Sequence, residues 1–163
     1  MKKKRTASTP HKAPSAVIAL LTDFGLEDPY VGTMKGVILS INPNARIVDI
    51  SHYIQSHQIL QGGYFLWSTC PFFPRGTVFL AVVDPGVGSR RKIIAVKSTN
   101  HVFLAPDNGL LNLVLSHQKI VEVVQVDPLK TKDFILQEVS STFHGRDIFA
   151  PLAAHLSLGR RIQ

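Results

Sequence analysis

Two short, continuous apolar runs constrain the fold most strongly. Residues 17–21 are entirely apolar, and residues 77–83 contain one threonine among apolar side chains. A strand with one face in water alternates apolar and polar residues, whereas a strand buried on both faces is apolar throughout. Strands of the second kind occur in sheets that are covered by helices on both sides. The two runs therefore predict an α/β protein with a largely parallel sheet.

Helical patterns alternate with these strands along the chain. Asp28 followed by Pro29 predicts a helix N-cap and a first helical position, and apolar residues then recur at helical spacing until the Asn-Pro-Asn sequence at 42–44. Further helices are predicted over 59–67, 110–115 and 148–156, and further strands over 46–50, 93–96, 102–104 and 120–126. This alternation predicts a single three-layer α/β domain.

The length and the cysteine content narrow the class of protein. A chain of 163 residues corresponds to about one domain. The single cysteine, Cys70, excludes a disulfide framework and a cysteine-based zinc site, and it is typical of a reducing compartment. The apolar stretch at 17–21 is too short for a secretory signal, and no run reaches the roughly 18 residues of a membrane span. We therefore expect a cytoplasmic protein without a membrane partner.

The positive charge is concentrated at the two ends of the chain. Five of the 18 basic residues lie in the first twelve positions, and Arg160 and Arg161 lie near the last. The sequence between them holds eleven basic and eleven acidic residues. We predict a disordered basic tail over residues 1–15. A nucleic-acid partner is not favoured because the body lacks a basic excess, and salt-sensitive binding of an anionic surface by the tail is the alternative.

Polar side chains follow several of the predicted strands directly. Asp23 comes just after the first strand, His52 after the second and Asp84 after the third, while Asn108 lies shortly beyond the strand that ends at residue 104. Ligands of open α/β sheets bind beyond the carboxyl ends of the strands. We therefore expect these side chains to line one site at that edge of the sheet.

Each of these residues also has a structural interpretation. Asp23 and Asp84 can belong to ordinary turns, the basic residues at 90–92 can be a solvated strand start, and His144 can be structural where it precedes the last helix. A metal site built from Asp23, His52, Asp84 and His144 is not supported, because His-x-His and Glu-x-x-His spacings are absent. No metal or other cofactor is predicted.

Four ordered sequence blocks carry a family resemblance. They are Leu-Thr-Asp-Phe-Gly at 21–25 with Asp-Pro-Tyr-Val-Gly at 28–32 and Met-Lys-Gly at 34–36, Val-Val-Asp-Pro-Gly-Val-Gly-Ser at 82–89, Ala-Pro-Asp-Asn-Gly-Leu-Leu at 105–111, and Ser-Thr-Phe-His-Gly-Arg-Asp at 141–147. Together they resemble the S-adenosylmethionine hydroxide adenosyltransferases, the hydrolase relatives of fluorinase and chlorinase. The resemblance runs from about residue 17 to residue 159.

The resemblance implies hydrolysis of S-adenosyl-L-methionine to adenosine and methionine, by attack of water or hydroxide at C5′ of the ribose. The family uses an Asp–Arg–His set to hold and activate the water, and by motif position these residues are Asp84, Arg91 and His144. Arg91 is preferred over Arg90 because it lies seven residues after Asp84, which is the family's spacing. The substrate-binding residues implied by the same motifs are Asp23, Asn108 and Gly145.

The resemblance also implies a domain organisation. Residues 16–159 correspond to the family's N-terminal catalytic domain and residues 160–163 to a truncated linker, so that the family's C-terminal β-barrel-like domain is lacking. Family members form homotrimers in which that domain helps to close a neighbour's active site. The chain therefore has two interpretations: a hydrolase, or a truncated, non-catalytic remnant that binds a nucleoside or assembles with a longer partner.

Overall fold

The computed structural model describes residues 17–162, which form one mixed α/β domain. The strands are β1 (Val17–Thr22), β2 (Arg46–Ser51), β3 (Val78–Val82), β4 (Ile93–Ser98), β5 (Val102–Pro106) and β6 (Ile120–Val126). The α-helices are α1 (Tyr30–Ile41), α2 (Ile59–Thr69), α3 (Asn112–Leu115) and α4 (Ala150–Ser157). A π-helical turn, Gly145–Phe149, leads directly into α4. The predicted tail at residues 1–15 lies outside the described residues.

The described strands form one sheet in the order β2-β1-β3-β5-β4-β6. Strand β1 pairs in parallel with β2 and β3, and β3 pairs in parallel with β5. Strand β4 runs antiparallel to both β5 and β6. The sheet is therefore mixed. Asp23 and Asp84 follow the carboxyl ends of β1 and β3, which belong to its parallel half.

A tight connection explains the antiparallel direction of β4. Only residues 99–101 separate β4 from β5. The Ser98 hydroxyl accepts hydrogen bonds from the amides of Asn100 and His101, at 3.2 and 2.9 Å. A parallel neighbour needs a crossover of a dozen or more residues, so a three-residue connection makes the pair antiparallel. The apolar pattern of the two strands carries no information on this direction.

Burial confirms the interpretation of the two apolar runs. Residues 18–21 of β1 have no exposed surface, and all of β3 is buried. Ile18 and Leu20 pack with α1 and α4 on one face of the sheet, whereas Ala19 and Leu21 pack with α2 and α3 on the other. Both faces of the central strands are thus covered by helices, which is why these strands tolerate no alternating polar residue.

Two differences between the observed and the predicted helix boundaries have a local explanation. Helix α1 begins at Tyr30, and the Asp28 carboxylate accepts a hydrogen bond from the Tyr30 amide at 2.8 Å, so the chain enters the helix one residue later than expected. The helix expected over 110–115 is only the single turn Asn112–Leu115. It is short because Gly109 has a φ of +95° and the Leu110 amide donates to the Asn108 side chain instead of starting a helix.

Two leucines of α2 provide a matched test of this packing. Leu66 is fully buried in the core between α2 and the sheet, whereas Leu60 is 86% exposed on the same helix. We expect Leu66→Ala to lower the free energy of unfolding by about 2–5 kcal/mol, since it removes buried methyl groups and leaves a cavity. Leu60→Ala should change it by no more than about 0.5 kcal/mol. Urea denaturation followed by circular dichroism measures both, and equal losses would contradict the packing of α2.

Candidate active site at the carboxyl edge of the sheet

The register of the parallel strands brings the predicted site positions to one edge. Thr22 at the end of β1 pairs with Val82 at the end of β3, so Asp23 and Asp84 both follow at that edge. The Asn108 side chain reaches the same place from beyond β5, where its amide nitrogen donates to the Val83 carbonyl at 2.8 Å. Three strands thus deliver polar side chains to one edge, as expected for an open α/β sheet.

Asp84, Arg91 and His144 form a connected cluster. The Nε and Nη2 atoms of Arg91 both lie 2.6 Å from Oδ2 of Asp84, and Nη2 also lies 3.0 Å from Nδ1 of His144. The side chains of Asp84 and Arg91 are only 3% and 10% exposed. Arg90 is exposed, so the structure brings Arg91 rather than its neighbour to the carboxylate. The guanidinium lies between the carboxylate and the imidazole and fixes both.

The turn that follows β3 returns Arg91 to Asp84. The Gly86 amide donates to Oδ1 of Asp84 at 3.2 Å, which fixes the carboxylate oxygen that Arg91 does not contact. The Ser89 hydroxyl donates to the Gly86 carbonyl at 2.6 Å and accepts from the Arg91 amide at 3.2 Å. These local hydrogen bonds are typical of turns rich in Ser, Asp and Gly. They explain how two residues seven positions apart form one ion pair.

A second loop packs directly on this turn and brings His144 to it. Gly88 has a φ of +76°, and a Cβ atom at this position would lie 2.6 Å from the Ser141 carbonyl oxygen. A side chain is excluded here both by the backbone conformation and by the neighbouring loop. The buried Phe149 ring lies below Arg91, with Cζ 5.6 Å from the ring centroid. Sequence blocks 82–89 and 141–147 are therefore two parts of one site.

His144 is held as a neutral imidazole. Partial burial lowers the pKa of His144 below its ordinary value, and the adjacent Arg91 charge lowers it further, against smaller opposing effects of Asp84 and Asp147. The geometry agrees with this direction, because a guanidinium can only donate hydrogen bonds and Nδ1 of His144 must accept. The imidazole proton then resides on Nε2, which is left as a hydrogen-bond donor.

Asp23 lies at the rim of the site and is partly exposed. Its Oδ2 atom accepts a hydrogen bond from the His57 amide at 2.9 Å. His57 has a φ of +65°, a left-handed conformation that is uncommon for residues other than glycine. The segment at 55–58 thus meets the predicted site through its backbone.

The structure gives Asn108 a role in holding the backbone. Its amide nitrogen donates to the Val83 carbonyl, and its Oδ1 atom accepts from the Leu110 amide at 3.2 Å. The side chain therefore ties the loop after β5 to the residue that precedes Asp84. Both ends of the amide group are therefore engaged with protein atoms.

Gly145 is buried where the last motif meets α1. A Cβ atom here would lie 2.7 Å from the Tyr30 hydroxyl, 3.1 Å from Phe24 and 3.3 Å from the Met34 sulfur. The Tyr30 hydroxyl accepts a hydrogen bond from the Arg146 amide at 3.2 Å, and burial raises the pKa of this phenol. Glycine is needed because the backbone approaches the aromatic side chains so closely.

Two further residues support the loop but were not identified from the sequence as functional. Arg146 contacts the fully buried Asp147 at 2.5 Å (Nε to Oδ1) and 3.1 Å (Nη2 to Oδ2). Oδ2 of Asp147 also accepts from the Ser140 amide at 2.8 Å, which closes the loop that carries His144. The sequence shows Arg146 and Asp147 side by side at the end of the motif. Only the fold shows that this pair holds the loop that carries His144.

Other features of the described chain lie away from this cluster. Within residues 17–162, no three His, Cys, Asp or Glu side chains are arranged to hold a metal ion. In the same part of the chain, no helix combines the length and the apolar character needed to cross a membrane. A cavity of about 290 Å³ lies between Lys97, Glu122, Leu156 and the segment 159–162, and none of its lining residues belongs to the predicted site.

Comparison with known proteins decides the family. Residues 18–163 match the sequence model described as the SAM hydroxide adenosyltransferase N-terminal domain. The chain belongs to the SAM hydroxide adenosyltransferase family. The resemblance that the four sequence blocks predicted is thereby confirmed.

Similar proteins within this family include two curated hydrolases. The chain is 40% identical over 147 residues to an (R)-S-adenosyl-L-methionine hydrolase of Salinispora tropica, covering 90% of this chain and 55% of that protein. It is 42% identical over 145 residues to an (R)-S-adenosyl-L-methionine hydrolase of Methanocaldococcus jannaschii, covering 86% and 52%. The chain therefore spans about half the length of the curated relatives that it matches.

A solved structure of an uncharacterized conserved protein from Thermotoga maritima is also similar. It superimposes with a TM-score of 0.84 at 42% sequence identity, over 89% of this chain and 55% of that one. Over the matched part, the two chains therefore share the same arrangement of strands and helices.

The close approach at Gly145 gives a test of the support beneath His144. We expect Gly145→Ala to lower the free energy of unfolding by about 1–3 kcal/mol, because the added methyl group overpacks the contact with the Tyr30 hydroxyl. Tyr30→Phe removes the nearest of the clashing atoms, so the double variant should recover part of this loss. A double-mutant cycle by urea denaturation measures the coupling, and strictly additive losses would contradict the contact.

Proposed function

We propose that this domain hydrolyses S-adenosyl-L-methionine (SAM) to adenosine and L-methionine. The observation that carries the proposal is the buried Asp84–Arg91–His144 cluster at the carboxyl edge of the sheet. The proposal is supported by the names of the two curated relatives, which are SAM hydrolases at 40% and 42% identity. Those relatives are about twice as long as the region they share with this chain, so the activity itself is the point to test.

The reaction needs a placed nucleophile more than it needs an acid. The oxygen of water attacks C5′ of the ribose while the C5′–S bond breaks, and the bonding electron pair goes to the sulfonium sulfur. The sulfonium thereby becomes the neutral thioether of methionine, so the leaving group requires no proton. The proton lost from water passes to a protein base and then to solvent. Holding the water in line with the C5′–S bond, about 3–3.5 Å from the carbon, is where a protein contributes most.

Asp84 is the base in this scheme. Arg91 occupies Oδ2 through two nitrogens and the Gly86 amide approaches Oδ1, so the carboxylate has a fixed orientation and a balanced charge. Oδ1 retains capacity to accept a hydrogen bond from water. A carboxylate placed in this way and within hydrogen-bond distance of the attacking water contributes a rate factor of about 10²–10⁴.

His144 holds the other side of the water. Because its Nδ1 atom accepts from Arg91, its Nε2–H group is the donor that faces away from the guanidinium. A donor at this position fixes the oxygen of water and stabilises the hydroxide character that develops as Asp84 takes the proton. In this division of roles the imidazole orients the nucleophile and the carboxylate accepts the proton.

The substrate-binding residues follow the same edge. Asp23 accepts hydrogen bonds from the 2′- and 3′-hydroxyl groups of the ribose, for which a partly exposed carboxylate at the rim is suited. Asn108 shapes the floor of the pocket through its bonds to the backbone, and Gly145 gives the chain room to pass beneath it. In this proposal the ribose lies between the ends of β1 and β3.

We further propose that residues 16–159 are the family's N-terminal catalytic domain and that residues 160–163 begin a linker. The family's C-terminal β-barrel-like domain corresponds to the part of the relatives that lies outside the shared region. In the homotrimer of the full-length family, that domain closes a neighbour's site and completes the adenine and methionine pockets. A cytoplasmic location and the absence of nucleic-acid and membrane partners belong to the same proposal.

The partial coverage of the relatives favours a second candidate function. The chain spans about half of the relatives' length, and in this candidate the remaining part of those proteins is needed to complete the substrate pocket. Such a chain would bind a nucleoside without turnover, or would act after assembly with a longer partner. This candidate predicts measurable adenosine binding in a protein that forms no adenosine from SAM.

Adenosine formation tests the proposal directly. The purified chain is incubated with SAM, and adenosine is followed by chromatography. Asp84→Asn, which keeps the shape but not the base, and His144→Ala should each lower the rate by about 10²–10⁴-fold. Asp133→Asn changes an exposed carboxyl group elsewhere and should leave the rate unchanged. Full activity of Asp84→Asn would overturn the proposed roles, whereas adenosine binding by calorimetry without turnover would select the second candidate.

The pH dependence tests the state of His144. Protonation would place a hydrogen on Nδ1, facing the donor group of Arg91, and would set two cations side by side. Since the pKa of His144 is lowered, kcat/KM should fall only below about pH 6.5, the ordinary value for histidine. His144→Asn supplies an acceptor oxygen that does not titrate, so it should abolish this acid limb. A midpoint above pH 6.5, or a limb with an unchanged midpoint in the variant, would contradict the assignment.

A further inference from the structure

His52 follows β2 and is not part of the Asp84 cluster, yet it is almost completely buried among polar groups. Its Nδ1 atom lies 2.8 Å from the Thr22 hydroxyl, and its Nε2 atom lies 3.1 Å from Oδ1 of Asp49. The other oxygen of Asp49 accepts from Nζ of Lys35 at 2.6 Å. These four side chains form a line from the surface of α1 to the end of β1.

The direction of donation along this line of side chains follows from Asp49, near the surface. Burial raises the pKa of Asp49, but the hydrogen bond from Lys35 and the close contact with His52 outweigh it and lower the pKa overall, so the carboxylate is ionised. A carboxylate beside Nε2 attracts the imidazole proton to that atom, although the contact is not aligned as a linear hydrogen bond. Nδ1 is then left as an acceptor, and the Thr22 hydroxyl donates to it.

The inner end of the line reaches the turn that carries Asp23. With its hydrogen directed to His52, the Thr22 oxygen accepts from the Phe24 amide at 3.3 Å. The Gly25 amide donates to the carbonyl of His52 at 2.7 Å. His52 is therefore connected directly to Thr22 and Gly25, and to Phe24 through the Thr22 oxygen. These residues surround Asp23 in the chain.

We propose that His52 is a positioning residue that orients the carboxylate of Asp23 through the Thr22 hydroxyl. Its functional consequence rests on the proposed function, in which Asp23 binds the ribose hydroxyls. His52 itself touches neither the Asp84 cluster nor the place proposed for the sugar. Its loss should weaken nucleoside binding and raise KM, while kcat, which depends on Asp84 and His144, changes little.

A pair of histidine variants separates this role from simple packing. In His52→Asn the amide oxygen takes the place of Nδ1 and can still accept from Thr22. In His52→Gln the amide group extends to the place of Nε2, so the contact with Asp49 is kept and the acceptor for Thr22 is lost. Both variants lose the ring, so a merely structural role predicts equal effects. The proposal predicts that His52→Gln behaves like Thr22→Val and that His52→Asn stays close to the wild type.

The first readout needs no catalysis. The His57 amide donates to Asp23, so its hydrogen-exchange protection, measured by nuclear magnetic resonance, reports whether that carboxylate is in place. Asp23→Ala gives the protection of the His57 amide when the carboxylate is absent. Thr22→Val and His52→Gln should lower the protection of this amide, whereas His52→Asn should retain it. The matched control is Thr77→Val, which alters another fully buried threonine near the opposite edge of the sheet, where its hydroxyl donates to Pro74.

The second readout is adenosine affinity by calorimetry, together with KM and kcat for SAM. Thr22→Val and His52→Gln should weaken adenosine binding about tenfold, which corresponds to about 1.4 kcal/mol, with kcat within about threefold of the wild type. Unchanged His57 protection in both variants, or equal losses in His52→Asn and His52→Gln, would overturn the proposal. If the wild type neither binds adenosine nor consumes SAM, the proposed function fails, and the His57 amide still decides the role of His52.

Discussion

The site depends on one buried ion pair. Removing two charged groups from water costs several kcal/mol each, and their attraction compensates only when the geometry is good and the remaining polar atoms are bonded. Arg91 meets this condition, because it contacts Asp84 through two nitrogens, His144 through one of them and the Phe149 ring through its face. The same contacts join the end of β3, the segment before β4 and the start of the last helix.

In the proposed mechanism, chemistry and stability share the same atoms of this domain. Truncating one partner of a buried pair leaves an uncompensated charge and costs about 3–5 kcal/mol, so a change at Asp84 or Arg91 acts on folding as well as on the proposed reaction. The glycines around the pair follow the same logic. Gly88 allows a second backbone, and Gly145 allows the side chains of Tyr30 and Phe24, to approach to distances that a methyl group would prevent. A site built from separate strands needs such close passages, since each loop must reach the common edge.

The fold and the family could be predicted from local sequence, whereas several contacts could not. Continuous apolar runs identified β1 and β3 because burial on both faces leaves no polar position. The apolar pattern does not give the direction of β4, whereas the short connection between β4 and β5 already requires an antiparallel pair. The motifs gave Asn108 as a substrate residue, but its bond to Val83 spans 25 positions and becomes visible only in the folded chain.

Sequence reasoning found His52 as one of several polar residues that follow strands and found no use for it as a metal ligand. Its partners Thr22 and Asp49 lie 30 and three residues away, and no spacing rule connects them. Burial determines which of Thr22, His52 and Asp49 donates and which accepts, because polar atoms that water cannot reach need partners within the protein. Contacts between buried polar side chains of this kind cannot be predicted from residue spacing and become visible only in the folded chain.

The left-handed backbone of His57 limits which residues suit this position. A residue other than glycine in this conformation costs of order 1 kcal/mol, and here the amide of that residue bonds to Asp23. Stability alone would therefore favour glycine, asparagine or aspartate at position 57. Glycine would also free the segment to leave the carboxylate, because it admits many more backbone conformations. Substitutions at position 57 therefore change how long the rim stays formed, and they do so through the backbone rather than through the side chain.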